Sequence, residues 1–573
     1  MKRACALTPR RAGFRAARLA LLLPGFIVAL AAAPLSASAP APADTAVARR
    51  IIDAALGSDR AARRLAELCD TFGPRLSGSP EHAAAAAWAL AKLKEDGLAN
   101  VRAEPVLVPH WVRGEEWGEA IVGPAPGEGL VQPLRFRLTL LGLGGTVGTP
   151  PAGIEGELLI VSSFDELAER GSEAAGRIVL FDQGWEGYGK SVEYRSRGAQ
   201  AAAKQGAIAC LIRAVTGASL ATPHTGVMRY ADDPALPRIP AAALTLEDTG
   251  RLHRLADRGI PIRVRLGLGA LRLPDAEAAN LIAELPGRER PEEIVLVGGH
   301  FDSWDVGTGA MDDGAGCIIT WEAVRLLREL GLVPRRTLRL VLFADEEQTQ
   351  AGGKAYAAAH AEEMACHRAA LECDSGGFRP VGFSVEADSL TVLRLRALAA
   401  PLLALLDAAD IGPGGSGVDI STLVEQGVVG IGHRVDSARY FDYHHSPADT
   451  FDKIDGKALA QNVAAVAIMA YALAEEPGPP CAGAAAAGYG QPKGACARAQ
   501  AMIAATSGAK AIQAGATALR AGGSSADAAV TIALAQTVLC AGAWDSFAGM
   551  LYALHYEAAT GEVVALNAGF DIP

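Results

Sequence analysis

A chain of 573 residues with 50% hydrophobic and 20% charged residues buries several cores, which excludes a disordered or fibrous protein and points to more than one domain. Its formal net charge of −11 argues against a nucleic-acid partner, whose phosphates call for a basic surface.

The first residues read as a targeting segment. Lys2, Arg3, Arg10, Arg11, Arg15 and Arg18 surround the start of the apolar run LALLLPGFIVALAAA, and the small residues ASA end at Ala39. This is the order of a removable export signal over residues 1–39, which places the mature protein in the periplasm or outside the cell. Its loss removes six positive charges and moves the balance from −11 to −17. Pro24 and Gly25 break the apolar run short of the ~20 residues a spanning helix needs, and no later segment reads as a membrane span. The pair Arg10 and Arg11 ahead of Phe14 is similar to a twin-arginine signal with imperfect spacing. Nine cysteines are present, one of them Cys5 in the signal, without CxxC or zinc-finger spacing. Cys366 and Cys373 are close enough to invite a disulfide, yet both lie in stretches that read as core, so no pairing is assigned.

Further along, Ser79, Pro80 and Glu81 stand in the order of an N-cap, a first-turn proline and a first-turn acid ahead of an alanine-rich helix. From about residue 121 to 270, short runs such as ELLIVSS, GRIVLFD, AIACLIRAV and IPAAALT alternate with glycine and proline turns and predict a β-rich region. After residue 290 strand and helix patterns alternate: EEIVLVGGH, a helix near CIITWEAVRLLREL, TLRLVLFADEE, a helix near AGGKAYAAAHAEEM, then RAALECD. This predicts an α/β fold with a mostly parallel central sheet flanked by helices. Such sheets bind ligands at the carboxyl ends of their strands.

The stretch VGGHFDSWDVGTGAMDDGAG, residues 297–316, crowds one histidine and four aspartates into a glycine-rich span. Clustered carboxylates repel one another unless something positive sits between them, so the span asks for a cation. Ligand types also appear where other apolar strands end. IVLVGG delivers His300, LRLVLFA delivers Asp345, Glu346 and Glu347, AALEC delivers Asp374, and RYFDYHHSPADT offers His444, His445 and Asp449. Each alone is ordinary, since Asp-Asp-Gly is usually a turn and adjacent glutamates usually a solvated run. Their joint occurrence at one edge of one sheet is not.

From CDTFGPRLSGSPE at residue 69 to about residue 474, with PHWVRGEEW, GHFDSWDVGTGAMDDGAG, TLRLVLFADEEQ and HHSPADT as its markers, the chain resembles the co-catalytic di-zinc aminopeptidases, within them the carboxypeptidase Q branch. The resemblance implies that His300 and Asp374 ligate one zinc, that Glu347 and His445 ligate the other, and that Asp312 bridges both. His445 rather than His444 is implied because the family places its ligand five residues before the threonine of an Asp-Thr pair, here Thr450. Glu346 resembles the general acid/base, and the Asp312–Asp313 peptide falls where the family has a cis bond. Two zincs about 3.5–4 Å apart share and activate a water and clamp the scissile carbonyl. Nitrogen and oxygen ligands suit zinc and leave positions open for substrate. Glu346 and Glu347 diverge if both leave a strand, which frees Glu346 to carry the proton. Asp302, two residues from His300, is placed to orient that imidazole through its second N–H, and Asp449 to do the same near His445.

Other segments stay open. Ser416, Gly417 and Asp419 in GPGGSGVDIST fall where the family forms part of the substrate pocket, and read equally well as a surface turn. No GxSxG elbow is visible, which disfavours a serine hydrolase. Residues 121–270 resemble a protease-associated domain inserted into a peptidase domain made of 46–120 and 271–474, with a lid or access wall and plain packing or oligomer contact as its two readings. A Pro/Gly/Ala-rich linker over 475–495 precedes 496–573, where LRAGGSSADAAV resembles the opening of gamma-glutamyltransferases. That family's threonine nucleophile lies far downstream and Gly569 falls near its expected arginine, so an inactive fragment is expected.

The resemblance thus implies an exported di-zinc exopeptidase acting on dipeptides or short peptides. A non-catalytic binding protein on the same scaffold and a glutaminyl cyclase are the alternatives. Which peptide end is read stays open, and family analogy alone points to a homodimer.

Overall fold

The structure, a computed structural model, describes residues 45–123 and 133–476 together with four short strands between 495 and 568. The signal segment, all but the ends of the linker and most of the tail lie outside the described residues. In the tail, Ala495–Arg498 pairs antiparallel with Met502–Ala505, and Leu551–Glu557 with Glu562–Ala568.

Three helices open the described chain: Thr45–Leu56, Arg60–Phe72 and Pro80–Glu95. The third starts as its sequence dictates, with Ser79 extended at the N-cap, its Oγ accepting from the His82 amide at 3.1 Å, and Pro80 in the first turn. Strand β1 (Ala99–Val112) follows. The chain then builds a separate sheet from β2 (Glu116–Val122), β3 (Leu134–Leu138), β4 (Leu140–Gly142) and β5 (Ile154–Val161). Strands β6 (Ile178–Phe181), β7 (Ala209–Arg213), β8 (Ala241–Leu244) and β9 (Ile262–Leu268) complete it. Its order is β3-β2-β9-β5-β6-β7-β8-β4, with β5 to β8 parallel.

Read from sequence, this region looks β-rich; the structure adds the helix Tyr188–Lys204, whose Ala199, Ala202 and Ala203 pack against Val179, Phe181, Cys210 and Ile212. The helix is hard to see in sequence because its buried face carries no large apolar side chain, only Ser191, Arg195, Gly198 and three alanines.

After β9 the first sheet resumes with β10 (Leu271–Leu285), β11 (Arg290–His300), β12 (Arg336–Phe343) and β13 (His367–Glu372). It ends with β14 (Pro380–Glu386), β15 (Asp410–Pro413) and β16 (Val429–Val435). The order is β1-β10-β12-β11-β13-β16-β14-β15. The central strands β12, β11, β13 and β16 run parallel, while β1, β10 and β14 pair antiparallel with their inner neighbours. The sheet is therefore parallel where ligand residues are expected and mixed toward its edges.

Both faces are covered, which is why β12 is buried at every position and is apolar from Leu340 to Phe343, with the buried Arg336 and Arg339 paired to Glu293 and Glu284. Val295 and Val297 of β11 face a layer that includes the helices Ala315–Glu329 and Gly456–Glu475, whereas Leu296 faces Tyr356, Ile420 and Leu423 on the other side. The expectation that no later segment matches a membrane span needs correcting. By length and composition, Ser389–Leu406 and Gly456–Glu475 both pass that test. Gly456–Glu475 is apolar nearly all round because it is mostly buried in the core. Cys373 is a free, buried thiol, so the pairing with Cys366 that the spacing invited does not form.

On β16, His433 is buried with its ring centroid 5.5 Å from that of Phe383, and burial pushes its pKa down to about 4. A histidine held neutral in the fold contributes stability that is present above its unfolded pKa of about 6.5 and is lost as pH falls toward 4. In urea unfolding of His433→Phe and wild type, the stability difference should move in favour of the variant by about 1.4 kcal/mol per pH unit between about pH 6 and pH 4.

Candidate metal centre

β11 ends at His300, whose Nδ1 lies 3.1 Å from the backbone carbonyl of Asp302, the acceptor for its proton. That leaves Nε2 facing Asp312 Oδ1 at 3.1 Å and Asp374 Oδ1 at 3.7 Å. Asp374 follows β13 by two residues, and Asp312 sits in the short turn Ala310–Gly314 at the mouth of the helix Ala315–Glu329. The Asp312–Asp313 peptide is cis. The other oxygen of Asp312 lies 3.2 Å from His445 Nε2, which in turn lies 2.9 Å from Glu347 Oε2. Asp312 thus has one oxygen toward a His300–Asp374 pair and one toward a His445–Glu347 pair.

His444 is also close. Its Nε2 is 3.6 Å from Asp312 Oδ2, and its ring stacks on His445 with centroids 3.5 Å apart. Only His445 of the two reaches Glu347 as well.

The donors fit a cation. Asp312 Oδ2 and Glu347 Oε1 are buried and accept no hydrogen bond, a costly state for a carboxylate unless a positive centre satisfies it. Burial alone would pull His300 down, but its hydrogen bonds to the Asp312 and Asp374 carboxylates hold it well above its ordinary value. Burial likewise opposes a proton on His445, yet Glu347 and Asp312 raise it to about 10. Burial pushes Asp312 up, but His300 and His445 hold it well below the usual carboxylate range. Burial raises Glu347 to about 7 and Glu346 well above the ordinary range. Each imidazole is drawn to hold a positive charge beside Asp312, which is the work a divalent ion does in such an N/O ligand set.

Several supporting roles differ from the sequence expectation. β12 stops at Phe343, so Glu346 and Glu347 leave from a turn, with Asp345 at φ +64°, rather than from the strand itself. The Asp302 carboxylate fixes that turn, accepting the Glu346 amide at 3.2 Å and the Glu347 amide at 3.4 Å; it is the Asp302 carbonyl that orients His300. Asp345 is spent on the same turn, accepting from Thr349 Oγ1 and, at 3.2 Å, from Gln348 Nε2. Asp449 does not orient His445. Its carboxylate accepts the amides of Met311 at 2.7 Å and Asp312 at 3.1 Å, and so positions Asp312.

Around Ser416 the chain is exposed at Gly414, Gly415, Gly417 and Val418, while Ser416 and Asp419 are buried. Ser416 donates its amide and hydroxyl to Glu386 Oε2, and a Cβ on Gly417 would come within 2.2 Å of the Glu372 carboxyl group. Asp419 is buried with both oxygens unpartnered. Sequence patterns do not reveal the residues that reach the His444–His445 pair from the β2–β9 sheet region: Arg195 and Thr225 at His445, and His224 at the His444 carbonyl. They sit more than 200 positions away in sequence, and no local signal marks them.

An α/β sheet that presents an aspartate between two imidazole–carboxylate pairs is the framework of a metal-dependent hydrolase. Residues 280–470 match Peptidase family M28. Carboxypeptidase Q of Mus musculus is 42% identical over 435 residues, covering 75% of this chain and 89% of the mouse protein, and the Homo sapiens protein matches to the same extent. The crystal structure of a Peptidase M28 precursor from Shewanella amazonensis is 35% identical, with a TM-score of 0.70 over 76% of this chain and 99% of that one. BSAP, a zinc aminopeptidase from Bacillus subtilis, shares the fold at 19% identity and a TM-score of 0.54. The chain belongs to peptidase family M28, and it is a zinc metallopeptidase.

Replacing Asp449 by alanine frees two buried amides and releases Asp312. Zinc affinity, measured by competition with a chromogenic chelator, should drop about 10–100-fold, as for other residues that orient a metal ligand.

Proposed function

We propose that the protein is an exported exopeptidase that holds two zinc ions and hydrolyses dipeptides or short peptides, with Glu346 as general base. The carrying observation is the placement of Asp312, one oxygen toward each imidazole–carboxylate pair. His300 and Asp374 would hold one ion and His445 and Glu347 the other, with Asp312 available to both. Bound zinc supplies Lewis acidity toward the scissile carbonyl and toward water.

The protein's own groups do the rest. Glu346 is partly exposed while Glu347 beside it is buried, and its side chain makes no hydrogen bond among the described residues. Burial and the neighbouring acids Glu347 and Asp374 keep its proton affinity high, although His300 opposes them, which suits a group that takes a proton from the attacking water and returns it to the leaving amine. Asp302 holds the turn that aims Glu346 and Glu347, and Asp449 holds Asp312. The order of basic, apolar and small residues over 1–39 supports export. The separate sheet β2–β9 supports the reading of residues 121–270 as a protease-associated insert, and a homodimer rests on family analogy.

The test is hydrolysis of dipeptides by the purified mature chain, before and after chelation and after zinc is added back. Two free amino acids should appear per dipeptide, activity should vanish on chelation and return with zinc, and Glu346→Gln should lose at least 100-fold in kcat while binding the same amount of zinc. Zinc-loaded protein that releases no amino acid would sink the exopeptidase reading, and cyclisation of an N-terminal glutamine by that protein would replace it.

A further inference from the structure

We infer that Arg195 is a positioning residue for His445, so that the region carrying β2–β9 completes the metal centre. The inference rests on the dinuclear reading above.

Arg195 lies on the helix Tyr188–Lys204 and is buried, and no ion pair to a carboxylate involves it among the described residues. A buried guanidinium without an anion is expensive, which argues that more than packing keeps it there. Nη2 donates to the Tyr188 hydroxyl at 2.9 Å, Nη1 donates to the Thr225 carbonyl at 3.3 Å, and Nε has no partner. Nη1 also lies 3.1 Å from His445 Nδ1, on the side of the ring turned away from Asp312 and Glu347. The same Thr225 carbonyl is 3.3 Å from His445 Nδ1. The Thr225 carbonyl therefore accepts from the guanidinium and lies within reach of the imidazole edge as well. The arginine holds the carbonyl, and the two together hold the Nδ1 edge of the His445 ring, which sets the direction of Nε2.

The backbone of His445 needs holding as well. Its φ of +58° is in the left-handed region, unfavourable for a residue with a Cβ. The Thr225 amide donates to the His445 carbonyl at 2.8 Å, and His224 Nδ1 lies 2.7 Å from the His444 carbonyl. Both peptide oxygens of the ligand-bearing loop are thus gripped from the other sheet. Gly226 makes room for the arrangement, since a Cβ there would lie 2.3 Å from Arg195 Nη1.

The test titrates zinc into the metal-free full chain against a chromogenic chelator, for wild type, Arg195→Met, Arg195→Lys, Tyr188→Phe and, as the reference, His445→Ala. Wild type should show two sites. Arg195→Met should weaken one of them at least 10-fold, the same one that His445→Ala removes, and lower kcat for a dipeptide with less than a 3-fold change in KM. Arg195→Lys, which keeps a cationic donor, should recover part of the affinity, and Tyr188→Phe should shift it in the same direction as Arg195→Met by a smaller factor. Two sites of unchanged affinity in Arg195→Met would overturn the assignment, whatever happens to its melting temperature. A wild type lacking a second site would instead overturn the dinuclear reading, and the assignment with it. If Arg195→Met does not fold, unchanged zinc affinity in both Arg195→Lys and Tyr188→Phe overturns the assignment.

Discussion

Everything in the centre follows from one electrostatic constraint: Asp312, Glu346, Glu347 and Asp374 converge from three separate segments into a space too dry to screen their charge. Their repulsion is relieved only by positive groups placed between them, and His300 and His445 are positioned at those gaps. Buried oxygens left without hydrogen bonds on Asp312 and Glu347 show that two imidazoles do not fully satisfy the arrangement. The fold keeps the acids together by binding their backbones rather than their charges. Asp302 and Asp449 grip amides, which holds the ligand turns without competing for the ligand oxygens.

The parallel core of the sheet makes this economical. β11, β12 and β13 point the same way, so one edge collects His300, the Glu346–Glu347 turn and Asp374 within a few residues of each strand end. Helices on both faces bury the strands and stiffen the platform. The placement of His300, Glu347 and Asp374 is thereby set by rigid elements, whereas Asp312 depends on its turn and on Asp449.

Much of this was legible in the sequence, for a specific reason. His300, Glu347 and Asp374 each end an apolar run, and a run of that kind marks a buried parallel strand whose end opens on a ligand site. Asp312 was legible as one of four clustered aspartates that need a counter-charge. Asp302 and Asp449 could be seen as nearby acids, but not their tasks, because their partners are amides in other segments brought near only by turns. The helix Tyr188–Lys204 was hidden by a buried face without large apolar side chains, and Gly456–Glu475 imitates a membrane span because a core helix and a span share the same apolar composition. Arg195 was invisible, lying 250 positions from the histidine it touches.

The way the second sheet is attached has its own consequence. β1 and β10 run side by side to the junction, with Val112 opposite Leu271, and the chain leaves for β2 at Glu116 and returns from β9 at Leu268. Arg113 braces this stalk by a two-pronged contact with Asp305. Because exit and return are neighbours, the parent sheet closes behind the excursion without losing a strand pairing, and the added module demands almost no rearrangement of its host. Such a module begins as a removable ornament on an edge. Here the excursion also carries His224 and Thr225, which hold the carbonyls of His444 and His445, so the ornament and the loop beside the candidate metal centre are mechanically joined.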